Sequence, residues 1–290
     1  MFKKITAALL MSISAAAFAV PLGSQSVLVV EDETGKVLVE KNATAVVPIA
    51  SLTKLMTAMV VLDSKLDMDE QISIDKDDVD TLKHSTSRVP VGATIARRDV
   101  LQLALMSSDN RAAAALARTF PGGPAAFTAA VHAKIKQLGM TSTQIDEPTG
   151  LSPNNTSNAA DLVKMAAAAA QYPEIRRITT DTEEAINMKG RMVQYHNTNR
   201  LVGAKGWDIG LSKTGYTEEA GRCLIMRITT AGRDATLVLL NAKANSARLM
   251  DALNIRRMIS GVEEKPRVMK ASNGRKKAPS ASKPSRRRAS

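Results

Sequence analysis

The stretch Ser51-Leu-Thr-Lys-Leu-Met-Thr-Ala-Met-Val-Val-Leu62 decides how the rest of the chain is read. Leu52, Leu55, Met56, Met59 and Val60 recur at intervals of three and four, so a buried helix is predicted to begin at or just before Ser51. One turn then separates Ser51 from Lys54 on the same side, which sets an amine within reach of a hydroxyl. Ser-x-x-Lys alone carries little weight, because the spacing recurs at Ser73 with Lys76 and at Ser280 with Lys283. Two further motifs follow in order, Ser108-Asp109-Asn110 and Lys213-Thr214-Gly215. The ordered set is specific: together they form the parts of a serine acyl-transfer site that uses lysine where other serine hydrolases use histidine.

Outward from that helix, β-branched runs at 27–30 and 37–39 flank Glu31-Asp-Glu-Thr-Gly-Lys36, which reads as a hairpin. Helical periods occupy 99–118, 124–138 and 159–171, punctuated by Pro121-Gly-Gly123 and Pro148-Thr-Gly150. After Trp207 the period falls to two, with strands expected at 209–213, 223–230 and 235–241 and a last helix at about 246–259. Strands at both ends around a helical middle imply an α+β fold. Its antiparallel sheet is built from N- and C-terminal strands, flanked by helices, with an all-helical lobe of about 64–171 inserted.

A chain of 290 residues with 44% hydrophobic content can bury a core, which excludes disorder throughout. Residues 1–19 read as a secretory signal: Lys3 and Lys4, an apolar run, then Ala17-Phe-Ala19 as a cleavage site. No other stretch approaches a membrane span, so the exported protein is expected to be soluble. The formal charge of +12 divides into +2 in the leader, +10 in residues 265–290 and zero in the body at 20–264. That tail of Lys, Arg, Ser, Ala and Pro reads as disordered. It is either an adhesive for an anionic cell-wall polymer or membrane surface, or a solubilising extension. It has no aromatic residue, which argues against nucleic acid.

Cys223 is the only cysteine and lies among apolar neighbours, so it reads as a buried, inert thiol. His84, His132 and His196 show no paired metal spacing. No phosphate loop is present, and no cofactor or metal is expected.

The chemistry needs each motif for a physical reason. Ser51 is a nucleophile only beside a base, and Lys54 is a base only when neutral, through burial and a neighbouring cation such as Lys213. The Ser51 backbone N–H at a helix start supplies one oxyanion donor, and the Tyr216 backbone N–H supplies another, with Gly215 leaving that edge clear. Ser108 relays a proton between Lys54 and the leaving amine, and the Asn110 amide pairs with substrate backbone. Asp109 holds the loop, and Lys213 with Thr214 suits a carboxylate next to the scissile bond. Read singly, the three motifs are also a capped helix start, an N-cap before Arg111 and a strand ending in a turn.

The chain resembles the low-molecular-mass penicillin-binding proteins, D-alanyl-D-alanine peptidases related in fold to the β-lactamases, over about residues 27–261. Ser107-Ser-Asp-Asn-Arg-Ala-Ala113, Glu147-Pro-Thr-Gly-Leu-Ser152, His196-Asn-Thr-Asn199 and Lys213-Thr-Gly-Tyr-Thr217 look most like the endopeptidase branch. The resemblance implies a periplasmic enzyme that cuts D-Ala–diaminopimelate cross-links of peptidoglycan and is acylated by β-lactams. It assigns the same roles to Ser51, Lys54, Ser108, Asn110, Lys213 and Thr214. Three alternatives remain open: a D-Ala-D-Ala carboxypeptidase, a class A-like β-lactamase and a non-catalytic wall-binding protein. Glu147 could be a lactamase's deacylating carboxylate, but Gly150 breaks the expected Glu-x-x-Leu-Asn, so Glu147 is read as a loop or capping residue.

Overall fold

The computed structural model describes residues 21–261, so the leader and the basic tail read from the sequence lie outside the described residues. In chain order come β1 (Ser26–Glu31), β2 (Val37–Lys41), β3 (Val47–Pro48), α1 (Thr53–Asp63), β4 (Gln71–Ser73) and β5 (Thr94–Ala96). Then follow α2 (Arg97–Met106), α3 (Asn110–Arg118), α4 (Gly123–Gln137), β6 (Thr156–Ser157), α5 (Ala159–Ala169) and α6 (Pro173–Thr180). The chain ends through β7 (Glu183–Met188), β8 (Arg191–His196), β9 (Asp208–Thr217), β10 (Gly221–Thr230), β11 (Arg233–Ala242) and α7 (Asn245–Ser260).

The main sheet has five antiparallel strands in the order β2-β1-β11-β10-β9, so the two termini do share one sheet. Cys223, Leu224, Ile225 and Met226 read as one apolar run because β10 is covered on both faces. Leu224 and Met226 face α7, packing with Ala252, Ile255 and Ile259. Cys223 and Ile225 face the opposite way, into the core that contains α1. Every residue of α1 from Thr53 to Val61 is buried, so this helix runs through the interior rather than along its surface. Truncating Leu55 or Met59 there would cost about 2–5 kcal/mol.

Three expectations need correcting. The single helical period at 99–118 is two helices, α2 and α3, because Ser108 adopts a left-handed backbone (φ 60°) and turns the chain between them. The inserted lobe is not purely helical, since β4 pairs with β5 inside it and its β6 pairs with β3, which precedes it. Beyond it, α6 and the β7–β8 hairpin fill a segment that had no prediction. The edge strand β9 also continues through Lys213 to Thr217.

Candidate active site

Ser51 sits in a 3-10 turn, Ala50–Leu52, that leads directly into α1. Ala50 is left-handed (φ 47°), a conformation that costs a non-glycine residue free energy and survives only where neighbours hold it. They do: Thr53 Oγ1 donates to the Ala50 carbonyl at 2.9 Å, and Ile49 N donates to Asn155 O at 3.0 Å. Two glycines close in on the same turn. Gly150 (φ 85°) has no side chain because a Cβ there would overlap the Ala50 carbonyl. A Cβ on Gly215 would lie 3.0 Å from Ser51 N, so β9 passes directly against the serine backbone.

Lys54 Nζ donates to Ser51 Oγ at 2.9 Å, to Asn110 Oδ1 at 2.7 Å and to Thr149 O at 2.6 Å. The side chain is 1% exposed. Burial lowers its pKa to about 8, against an opposing pull from the carboxylates of Glu147, Asp109 and Asp80. Lys213 Nζ donates to Ser108 Oγ at 2.8 Å and to Thr214 O at 3.0 Å, and is equally buried. Its pKa falls well below the usual lysine value, through burial first and then through the positive charges of Lys54 and Arg248. The repulsion expected between the two amines therefore falls on Lys213. Lys54 keeps its proton more firmly because acids surround it and three acceptors hold its ammonium.

Ser51, Lys54, Ser108, Asn110, Lys213, Thr214 and Gly215 come together, but not in every predicted pairing. Ser108 bonds Lys213 rather than Lys54. The Asn110 amide, expected on substrate backbone, is engaged at both ends: Oδ1 accepts from Lys54, and Nδ2 donates to Ser85 Oγ at 2.8 Å. Asp109 caps α3 through Ala112 N and accepts from Ser87 Oγ at 2.8 Å, so it holds the loop as expected. Tyr216 is half exposed with the Arg222 guanidinium 3.5 Å from its ring centroid. It lies on β9, an edge strand whose alternate backbone groups have no ladder partner on the outer side.

Glu147 is a loop residue. Its carboxylate accepts from Thr149 N at 2.7 Å, Gly150 N at 2.6 Å and Asn155 Nδ2 at 2.9 Å. This closes the 147–152 turn and aims the Thr149 carbonyl at Lys54. Sequence reasoning read Pro148-Thr-Gly150 as punctuation and the wider Glu147–Ser152 stretch as part of a family resemblance, and missed that carbonyl. It also missed Ser85, and Thr198, whose hydroxyl lies 2.7 Å from Thr214 Oγ1. The Gly in a left-handed turn was the available signal for the first, and Thr198 lay inside the quoted His196-Asn-Thr-Asn199 stretch without being assigned a part; Ser85 carries no signal.

Cys223 is buried, and burial pushes its thiol up to about 11, which keeps it protonated and unreactive. Among the described residues no cluster of His, Cys, Asp and Glu is arranged to hold a metal ion. No described helix is long and apolar enough to cross a membrane.

Comparison with known proteins agrees with this geometry. Residues 13–244 match the peptidase S11 family, described as D-alanyl-D-alanine carboxypeptidase. A D-alanyl-D-alanine endopeptidase of Pseudomonas aeruginosa is 48% identical over 240 residues, 82% of this chain and 77% of its own. An Escherichia coli protein of the same name is 43% identical over the same shares. The Streptomyces DD-transpeptidase crystal structure superposes with a TM-score of 0.77 at 25% identity, covering 83% of this chain and 98% of that one. With a serine hydroxyl bonded by a buried lysine in a turn held against an edge strand, and with the family match spanning that whole region, the chain is a member of the D-alanyl-D-alanine carboxypeptidase family of serine peptidases.

Proposed function

We propose that the protein is a DD-endopeptidase that hydrolyses D-Ala–diaminopimelate cross-links of peptidoglycan through an acyl-enzyme on Ser51. The observation that carries this reading is the 2.9 Å bond from a buried Lys54 amine to the Ser51 hydroxyl. A pKa of about 8 leaves about a tenth of Lys54 neutral at neutral pH, where an ordinary lysine would be almost wholly charged. Ser51 Oγ gives its proton to Lys54 Nζ as it bonds the carbonyl carbon, and backbone N–H groups of Ser51 and Tyr216 hold the oxyanion. The C–N bond then breaks as the amine takes a proton from Ser108 Oγ, restored by Lys213 across their 2.8 Å bond. One proton enters the lysine pair from Ser51 and one leaves it on the amine. Water next attacks the ester carbon and gives a proton to the pair, which returns one to Ser51 Oγ.

Lys213 and Thr214 anchor the carboxylate beside the scissile amide, and its negative charge favours the protonated Lys213 against the lowering caused by burial. That carboxylate occurs both in a terminal D-Ala-D-Ala and in the cross-link. The preference for the cross-link therefore draws on the relatives named endopeptidase. Glu147, bound by its own loop, is not available to activate water, which favours a long-lived penicillin adduct over lactamase turnover. Labelled penicillin is expected to attach to the wild type and not to Ser51→Ala; labelling that survives removes Ser51 as nucleophile. Incubation with cross-linked muropeptides, pentapeptide monomers and a chromogenic β-lactam separates the activities. Rapid β-lactam turnover with intact cross-links would contradict the reading.

On the same reading the mature chain starts near Val20, works in the periplasm with a catalytic domain reaching to 264, and is held to anionic wall polymers by residues 265–290. Deletion after Glu264 is expected to leave soluble-substrate kinetics unchanged and to weaken wall binding at low salt. Unchanged wall binding would refute the adhesive role.

A further inference from the structure

Resting on the peptidase reading, we propose that a cavity beside Ser108 is a subsite for a second substrate carboxylate, one remote from the scissile amide, and that Arg88 selects for it. The cavity measures about 320 Å³, and its walls include Thr86, Arg88, Ser108, Asn110, Tyr195 and His196. Ser108 and Asn110 also bond Lys213 and Lys54, so the cavity shares two of its walls with the cluster around Ser51.

Arg88 is held in position. Its Cζ lies 4.7 Å from the centroid of the Tyr195 ring, and Tyr195 is only 2% exposed, so the guanidinium rests on a fixed aromatic face. The other charges around the cavity already have partners. Asp109 accepts from Ala112 N and Ser87 Oγ, and His196 Nδ1 lies 3.3 Å from Glu183 Oε2. Among the described residues Arg88 has no carboxylate partner. An exposed planar cation that makes no salt bridge among those residues, across a polar recess whose one lining carboxylate, Asp109, is bonded to Ala112 N and Ser87 Oγ, matches a carboxylate through paired N–H donors. Lys213 and Thr214 are committed to the carboxylate beside the cleaved bond, so Arg88 addresses a different one. Peptides containing diaminopimelate carry such a group on a side arm.

The test uses the full-length protein and two cross-linked peptides that differ only in side-arm carboxylates, free in one and amidated in the other. The wild type is expected to prefer the free carboxylate by roughly tenfold in kcat/KM, expressed in KM, as one charge-assisted contact provides. Arg88→Ala should bring the ratio close to one, Arg88→Lys should retain part of it, and Arg88→Glu should invert it. A ratio of one in the wild type, or one unaltered in Arg88→Ala, overturns the proposal. The same peptides used as competitors of penicillin labelling read binding without turnover. A protein that cleaves neither peptide would therefore refute the endopeptidase reading while the competition ratio still decides the subsite.

Discussion

Lys54 and Lys213 have the same immediate chemistry, a buried amine 2.9 Å or 2.8 Å from a serine hydroxyl, yet their surroundings differ in sign. Lys54 springs from an interior helix, reaches three acceptors and feels Glu147, Asp109 and Asp80. Lys213 springs from an edge strand, has Ser108 and its neighbour's carbonyl as acceptors, and faces the positive charges of Lys54 and Arg248. The first is therefore poised to exchange a proton near neutrality, and the second holds its proton less firmly, so an arriving anion favours its charged form. The charges around each amine, rather than its motif, divide the labour between base and anchor.

The comparison breaks most severely at Lys54. Lys54→Ala is expected to slow Ser51 acylation about 10²–10⁴-fold, in line with loss of a general base, whereas Lys213→Ala should raise KM for carboxylate-bearing peptides and lower kcat by less than Lys54→Ala does. Equal losses of kcat in both variants would erase the distinction. Next comes Gly150→Ala, which drives a methyl into the Ala50 carbonyl and forces a left-handed residue, so it should destabilise the fold by about 3 kcal/mol or more in denaturant titration. A stability loss under about 1 kcal/mol would show that the Ser51 turn is not braced as described.

A smaller effect sharpens the contrast between the amines. Glu147 raises the Lys54 pKa, so Glu147→Gln, which removes the charge and keeps one of the two oxygens that accept from the loop, should move the acid limb of acylation to lower pH. The limb shifting upward would contradict the electrostatic assignment. Smallest is Thr198→Val, which frees the Thr214 hydroxyl from its 2.7 Å bond and should raise KM by roughly fivefold with kcat unchanged. An altered kcat would give Thr198 a different part.

Much of this site was legible before any coordinates. The three motifs, the helix after Ser51 and the strands from both ends could be read because side-chain pattern and chain period carry them. What escaped has a physical reason in each case. Lys54 is held by the Thr149 carbonyl, a backbone atom that leaves no residue signature, across a separation of 95 residues. The apolar period ran on through Ser107-Ser-Asp109, so the turn at Ser108 was invisible to it. In the β7–β8 hairpin only Ile186, Met188 and Tyr195 are buried, too few to mark alternation. The Ser108–Lys213 pairing depends on which wall of the cleft each side chain meets, which spacing along the chain does not encode.

The most direct test is the second-order rate constant for acylation of Ser51 by penicillin, followed from about pH 6 to about pH 10. If buried Lys54 is the base, the rate rises with pH through a single limb centred near pH 8, because only the neutral amine accepts the Ser51 proton. A limb near the ordinary lysine value, or a rate flat across that range, would contradict it.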